Sequence, residues 1–216
     1  MTEPSHPPAS LRDRKREKLH RTILDVSLRL FLSRGYDRTT LEQVCEEAET
    51  SLRTLLRYFP TKEVLALGRE YASLEDFREA IGSLAPGESV MGFWRERVSQ
   101  SSQGVEPKSY LARLKMFDSS QAIEAKMLSL QVTYEDLLAE AFAREAGIPA
   151  DEDLHGRLLA GMLIAGNRAA ARRWVASNGK LNLAKLRAEV IDWAMENFPA
   201  PPKPAASAAN GKRRTA

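Results

Sequence analysis

The sequence predicts an all-α protein, with a domain of short helices at its N-terminus and a larger helical domain behind it. Apolar residues recur at helical spacing through most of the chain. No segment shows the alternation of β-branched and polar residues that is typical of a half-buried strand. Breaks containing Gly, Pro or Asn divide the chain into about nine helical segments.

The first helix is predicted to follow a strongly basic segment. Residues 11–21 read LRDRKREKLHR, and Gly35 is placed to end the helix. The basic segment is either ordinary helix surface or a flexible arm that touches phosphates, and both interpretations stay open. The apolar positions that define the helix are Leu19, Ile23, Val26, Leu30 and Phe31.

Two short helices follow. Thr39 to Glu42 reads as a capping box, with Thr39 as N-cap and Glu42 as the acid three residues on, and this helix runs to about Glu47. After a break, a second helix spans about Ser51 to Tyr58, and Pro60 stops it. Thr61 is then expected to cap a helix that starts at Lys62.

The remaining helices are predicted from periodicity and from their terminators. They cover residues 62–82, 88–103, 108–117, 119–146, 151–177 and 182–198. We therefore expect a disordered N-terminus over residues 1–10, a helix-turn-helix domain over 11–66, a second helical domain over 67–199 and a disordered tail over 200–216.

The two short helices have the arrangement of a helix-turn-helix unit, whose second helix enters the major groove of DNA. Such a unit needs short donors at helix N-termini for phosphates, and Arg or polar side chains for base edges. Leu55 and Phe59 are expected to pack inward. The predicted DNA-binding residues are Thr40, Ser51, Arg53, Thr54, Arg57, Tyr58 and Lys62.

The segment from Arg21 to Leu65 resembles the DNA-binding domain of the TetR/AcrR family of bacterial one-component transcriptional regulators. The matching anchors include Gly35-Tyr36, Thr39-Thr40, Tyr58-Phe59 and Lys62-Glu63. The resemblance implies an α-helical homodimer with a helix-turn-helix in each subunit. It also implies a palindromic operator and a small ligand in the larger domain that releases the DNA.

Three residues depart from the family pattern. Glu49 stands where the family usually has Gly in the turn, so the turn either takes another geometry or tolerates roughly 1 kcal/mol of strain. Cys45 replaces an Ala and is interpreted as a small apolar side chain rather than a redox sensor. Leu56 replaces a frequent aromatic residue, so it either contacts a thymine methyl or sugar, or packs inward.

The second domain is expected to hold the dimer face and the ligand pocket. Residues 158–174 are rich in Gly and Ala, which favours a four-helix dimer interface from residues 153–177 and 183–198, with intramolecular core as the alternative. Aromatic and Met side chains in the middle helices favour a hydrophobic or aromatic effector. The predicted lining is Trp94, Tyr110, Met116, Phe117, Met127, Leu130 and Tyr134.

Composition narrows the function further. The net charge is +3 over residues 1–62, −4 over 63–199 and +4 over 200–216, which places the affinity for a polyanion at the ends. A single cysteine, no membrane-length apolar run and no secretory signal indicate a reducing cytoplasm. No metal cluster, cofactor motif or catalytic constellation is recognised, so no cofactor, no metal and no enzymatic activity are expected. The alternatives are an all-α adaptor or enzyme that keeps the fold without binding DNA, or a regulator without a ligand.

Overall fold

The computed structural model describes residues 10–101 and 106–198, and these residues form ten helices and no strand. The all-α prediction is confirmed, with one helix more than the nine expected. Disorder was expected for residues 1–10 and 200–216; all of these except Ser10, which caps the first helix, lie outside the described residues. The helices are α1 Leu11–Arg34, α2 Leu41–Glu47, α3 Leu52–Tyr58, α4 Lys62–Ala66, α5 Gly68–Gly82, α6 Val90–Ser101, α7 Pro107–Phe117, α8 Gln121–Ala146, α9 Leu154–Ala176 and α10 Leu183–Asn197.

The additional helix arises at Leu67, where the helix predicted over residues 62–82 is interrupted. Gly68 begins α5 at a point of close contact, because a Cβ atom there would clash with Leu24 Cδ2 and lie 3.2 Å from Phe59 Cε1. The missing side chain therefore lets the start of α5 approach both α1 and the residue that ends α3. Periodicity could not reveal this break, since the apolar residues continue across it.

The helix termini follow local capping chemistry. Gly35 ends α1, and its amide donates to the Phe31 carbonyl at 3.0 Å. The N-caps of α7, α9 and α10 are side chains that accept backbone N–H groups in the first turn, namely Glu106, Asp153 and Asn182. Each of these caps lies within three residues of the start predicted from the sequence.

The described residues divide into two compact units, and the boundary falls within α5 and α8. Residues 10–77 and 106–132 form the first unit. Its core contains Ile23, Leu30 and Phe31 of α1, Leu55 of α3 and Leu65 of α4. These apolar contacts hold the four N-terminal helices together and fix which sides of them face solvent.

Residues 78–101 and 133–198 form the second unit, in which α10 packs against both α6 and α9. Gly166 of α9 lies against Val190 of α10, where a Cβ atom would clash with the Val190 side chain. Ala160 and Ala170 of α9 are buried. Part of the small-residue stretch therefore serves close helix packing within one protomer, as the intramolecular alternative expected.

Candidate DNA-binding interface

Helix α2 begins one residue later than predicted. Thr40, not Thr39, is the N-cap, and its hydroxyl accepts the Gln43 amide at 3.2 Å while the Gln43 side chain accepts the Thr40 amide at 3.0 Å. Thr39 is buried and its hydroxyl donates to the carbonyls of Gly35 and Leu30, at 2.9 and 3.3 Å. The capping box is thus present with Gln43 in place of Glu42, because Thr39 is used to close the end of α1.

The turn between α2 and α3 has left-handed backbone at Glu49, whose φ is 50°. The Thr50 amide donates to the Cys45 carbonyl at 2.9 Å and the Glu49 amide to the Glu46 carbonyl at 3.3 Å. This is the Schellman arrangement, which usually places Gly at the left-handed position. Of the two possibilities left by the sequence, the chain keeps the usual turn and tolerates Glu in it, at a cost of roughly 1 kcal/mol.

Helix α3 presents its predicted DNA-binding residues on the outside. Ser51 caps it, accepting the Thr54 amide at 3.2 Å and donating its hydroxyl to Thr54 Oγ1 at 2.9 Å. Arg53 and Arg57 are exposed, four residues apart, and therefore lie on the same side of the helix. Thr54, the residue after Arg53, is half-buried. A hydroxyl pair at the N-terminus and two guanidinium groups can together meet phosphates and base edges.

The apolar residues of α3 divide as the periodicity predicted. Leu55 is fully buried and Phe59, just past the end, is 3% exposed, whereas Leu52 and Leu56 are each 37% exposed. Leu56 consequently does not pack inward, and the surface alternative is the one that the structure favours. An exposed Leu in this position can offer van der Waals contact but no hydrogen bond to a phosphate.

Tyr58 lies where α3 ends and is half-buried. The Arg57 guanidinium lies 5.3 Å from the centre of its ring, and the His20 ring meets it edge-on with 5.7 Å between the two ring centres. His20 also stacks on Phe59 at 4.9 Å. His20, which the sequence did not single out as a site residue, therefore joins the basic end of α1 to the C-terminal end of α3. Burial of its ring, reinforced by the charge of Arg16, lowers the pKa of His20.

Lys62 is the first residue of α4, as predicted, and is held rather than free in solvent. Its Nζ lies 4.3 Å from the centre of the Tyr36 ring and 3.5 Å from the Asp37 carbonyl oxygen. Burial lowers the pKa of the ammonium group, with the charges of Asp37 and Glu63 opposing the shift. The Tyr36 hydroxyl donates to Glu63 Oε1 at 3.0 Å, which fixes the ring on which Lys62 lies. Tyr36 and Glu63 are therefore positioning residues, and the sequence pattern did not reveal this role.

Cys45 is buried on α2, and burial raises the pKa of its thiol. A thiol that is desolvated and protonated is a poor nucleophile. The interpretation of Cys45 as a small apolar side chain fits this environment.

The residues expected to line a ligand pocket are distributed over both units. Tyr110, Met116, Phe117, Met127 and Leu130 belong to the first unit, and Trp94 and Tyr134 to the second. Trp94, Met116, Phe117 and Leu130 are buried, and the other three are half-buried.

The first unit also contains a charged pair that was not anticipated near this set. Arg113 Nε lies 3.4 Å from Glu70 Oε1, and both side chains are less than one-fifth exposed. The Arg113 guanidinium lies 5.1 Å from the centre of the Tyr110 ring. Burial raises the pKa of Glu70, although the charge of Arg113 opposes this shift. One desolvated ion pair therefore lies close to Tyr110, one of the side chains that led us to expect a hydrophobic or aromatic effector.

Helices α9 and α10 carry exposed apolar side chains in the second unit. Leu154 is 68% exposed, Leu158 and Trp193 are each 53% exposed, and Met195 is 47% exposed. The rings of His155 and Trp193 both lie within 6.5 Å of the Phe198 ring, which brings the start of α9 next to the end of α10. Trp193 and Met195 are two residues apart and lie on different sides of α10, and the Met195 sulfur lies 3.2 Å from the Arg95 guanidinium of α6. We call Leu154, Leu158 and Trp193 the α9–α10 apolar surface.

Within the described residues, no group of His, Cys, Asp and Glu is arranged to hold a metal ion. None of the helices there has the length and apolarity to cross a membrane.

Two short helices joined by a Schellman turn, with hydroxyls and arginines exposed on the second, define a helix-turn-helix DNA-binding protein. The profile of the tetR family of bacterial regulatory proteins matches residues 23–68, and the profile of the MftR C-terminal domain matches residues 95–199. The chain is 30% identical over 172 residues to the HTH-type transcriptional regulator TcmR of Streptomyces glaucescens, which covers 76% of each protein. The chain belongs to the TetR family and is a DNA-binding transcriptional regulator.

Further relatives agree with this assignment. The HTH-type transcriptional repressor KstR of Mycolicibacterium smegmatis is 39% identical over 64 residues, which is 28% of this chain and 31% of KstR. Among solved structures, the TetR family repressor FadR of Thermus thermophilus superposes with a TM-score of 0.59 at 23% identity, over 86% of this chain and 98% of FadR. NalD of Pseudomonas aeruginosa superposes with a TM-score of 0.57 at 18% identity, over 85% of this chain and 96% of NalD. These two structures confirm the fold.

Proposed function

We propose that the chain is a cytoplasmic, homodimeric repressor that binds a palindromic operator and leaves it when a small, largely apolar molecule binds. The observation that carries the DNA-reading part is the exposed face of α3, where Arg53 and Arg57 project while Leu55 and Phe59 anchor the opposite side. Arg is the side chain that most often reads guanine in the major groove.

The phosphate contacts are assigned to the helix starts around this face. Thr40 and Ser51 cap α2 and α3, and their neighbouring first-turn amides are oriented toward an incoming anion. Lys62 opens α4 and is held on the Tyr36 ring. Together with Thr54 and Tyr58, these groups would fix the register of α3 in the groove, while the two arginines discriminate between bases.

The dimer is assigned to residues 153–177 and 183–198. The large side chains of the α9–α10 apolar surface are open to solvent in one protomer, and a second copy of the same surface would bury them around a two-fold axis. A two-fold dimer presents two α3 helices, so the operator should contain two equal half-sites about one helical turn apart.

Two related proteins support repression and ligand control. KstR is described as a repressor, and Thermus thermophilus FadR is a repressor whose structure contains lauroyl-CoA. Buried aromatic and Met side chains occur in this chain at Trp94, Met116 and Phe117, and such side chains suit an apolar ligand. We assign the ligand-binding role to residues 67–199, with the DNA-binding role in residues 11–66. The ligand must bind the DNA-free conformation more tightly, since it can release DNA only by that difference.

Three measurements test this function. Binding to the DNA upstream of its own gene should fall steeply between about 50 and 200 mM salt, whereas an adaptor or an enzyme without DNA affinity would show neither retention on heparin nor a mobility shift.

Native mass spectrometry of the purified protein should reveal a dimer. A strongly polar molecule that copurifies with it, and dissociates the DNA complex when added back, would contradict the apolar ligand.

A further inference from the structure

The first two turns of α1 form a basic segment in which every residue is exposed in the described structure. Residues 11–18 are exposed on every side of the helix, and half-burial begins only at Leu19 and His20. Eight helical residues span about 12 Å. We call residues 11–18 the α1 arm.

The charge of the arm is largely uncompensated. Its two acids are occupied locally, since Glu17 pairs with Arg21 at 2.9 Å and Asp13 accepts the Ser10 hydroxyl at 2.6 Å. Among the described residues, no ion pair is formed by the five cations of the arm. These cations are Arg12, Arg14, Lys15, Arg16 and Lys18.

The spacing of these cations works against the helix in isolation. Arg12 and Arg16 are four residues apart, as are Arg14 and Lys18, and like charges at that spacing destabilise a helix. Arg12, Lys15 and Arg16 share one side of it. An exposed helical segment that bears this repulsion is suited to a polyanion, which would supply the missing counter-charge.

The α1 arm leaves the domain next to α3, which indicates that this polyanion is DNA. His20 stacks on Phe59 and meets Tyr58 edge-on, so the arm emerges beside the C-terminal end of α3. The N-terminal part of a recognition helix points at base edges, which leaves its other end near the phosphates that border the groove. With α3 in the groove, an arm of about 12 Å that leaves from this end is therefore expected to lie along the DNA backbone outside the half-site.

We propose that the α1 arm is a second DNA-binding site, which contacts the phosphates of double-stranded DNA flanking each half-site and reads no bases. This inference rests on the proposed function, because it places α3 in the groove. Its consequence is an affinity that grows with the length of duplex beyond the half-sites and a salt dependence steeper than α3 and α4 alone would give.

The test compares the triple variant Arg12→Gln/Lys15→Gln/Arg16→Gln with a matched control, Lys108→Gln/Lys126→Gln/Lys180→Gln, whose three residues lie outside both α3 and the assigned dimer interface. Both remove three exposed cations, and Gln has nearly the helix propensity of Lys and Arg. The probe is an operator selected in vitro by the wild-type protein from random duplexes, presented alone (about 20 bp) or with about 10 bp of arbitrary sequence on each side.

On the long duplex, the arm variant should bind at least about tenfold more weakly than the control, with a salt slope shallower by roughly 2, because each protomer then neutralises about one phosphate fewer. On the short duplex, the two variants should bind alike. Equal affinity and slope on the long duplex would overturn the proposal. A similar loss of affinity by the arm variant on both duplexes would show that the arm does not contact the flanking DNA. Thermal unfolding of each variant shows whether its fold is intact.

Failure of the proposed function has a different signature. If α3 does not read DNA, the wild-type protein selects no sequence, and Arg53→Ala changes nothing. The effect of the arm can then still be measured as the difference between the two variants on arbitrary duplexes of about 20 and 40 bp.

Discussion

The exposed face of α3 and the exposed surface of α9 and α10 are opposite in chemistry. The first carries two arginines and a hydroxyl pair beside two partly exposed leucines, Leu52 and Leu56, while the second carries Leu154, Leu158 and Trp193. A polar surface that is supported from behind by buried residues suits a hydrated, charged partner such as DNA. An apolar surface of large side chains suits a partner that excludes water, as a second protomer does. The two surfaces should therefore respond to different perturbations.

The largest effect is expected from a charge placed in the apolar surface. Leu158→Glu should weaken dimerisation by at least about a hundredfold, because burying an unpaired carboxylate in an interface costs several kcal/mol. Since Leu158 is exposed in one protomer, the thermal unfolding of that protomer should change little. Sedimentation velocity measures the association, with Leu128→Glu, which adds the same charge at an exposed Leu outside this surface, as the control. An unchanged dimer would remove this surface from the interface.

The next largest effect belongs to α3. Arg53→Ala and Arg57→Ala should each weaken binding to the selected operator by about ten- to a hundredfold, since one bidentate interaction with a base contributes about 1–3 kcal/mol. Neither should alter the dimer. Fluorescence anisotropy with the operator and with an arbitrary duplex distinguishes a loss of base specificity from a loss of phosphate binding. If both variants bind the operator as tightly as wild type, the site assignment is wrong.

The turns that follow α2 and α9 allow a matched comparison of strain. Glu49 and Asn178 both have left-handed backbone, with φ of 50° and 54°, and both follow a helix end with the Schellman hydrogen-bond pattern. Asn tolerates this region far better than Glu. Glu49→Gly should therefore raise the free energy of unfolding by about 1 kcal/mol, and Asn178→Gly by only a few tenths. Urea unfolding measures both, and equal effects would mean that Glu49 is not strained.

The smallest effect concerns the pH dependence of the contact between α1 and α3. Because the pKa of His20 is lowered in the folded chain, its contribution to stability is complete above the ordinary value of about 6.5 and is lost as the pH falls toward the folded-state value. His20→Phe should remove this loss. The check is urea unfolding at about pH 8 and pH 5, where the wild type should lose more stability than the variant. A wild type no more sensitive to pH than the variant would contradict the account.

The two regions also differed in how much the sequence revealed. The α2–α3 unit was predictable because caps, a turn and a proline are local signals, and Ser51, Leu55, Phe59 and Lys62 lie where these signals placed them. The shift of the α2 cap from Thr39 to Thr40 was not predictable, since both residues can cap and only contact with the end of α1 decides between them.

Tertiary features account for the rest. The break at Leu67 depends on how closely Gly68 approaches Leu24 and Phe59, and the pairing of Glu70 with Arg113 joins residues 43 positions apart. Neither leaves a periodic signal in the sequence. In α9 the small residues correctly predicted close helix packing, but the sequence could not show whether the neighbouring helix belongs to the same protomer or to its partner. Gly166 packs against Val190 of the same chain.

The central claim is that two copies of α3, joined through α9 and α10, read a symmetric operator. In vitro selection of random duplexes with the wild-type protein and with Arg53→Ala tests it most directly. The wild type should enrich two inverted half-sites about one helical turn apart, and Arg53→Ala should lose base preference at the same position in both halves. Enrichment of a single unsymmetrical site, or no enrichment at all, would contradict the claim.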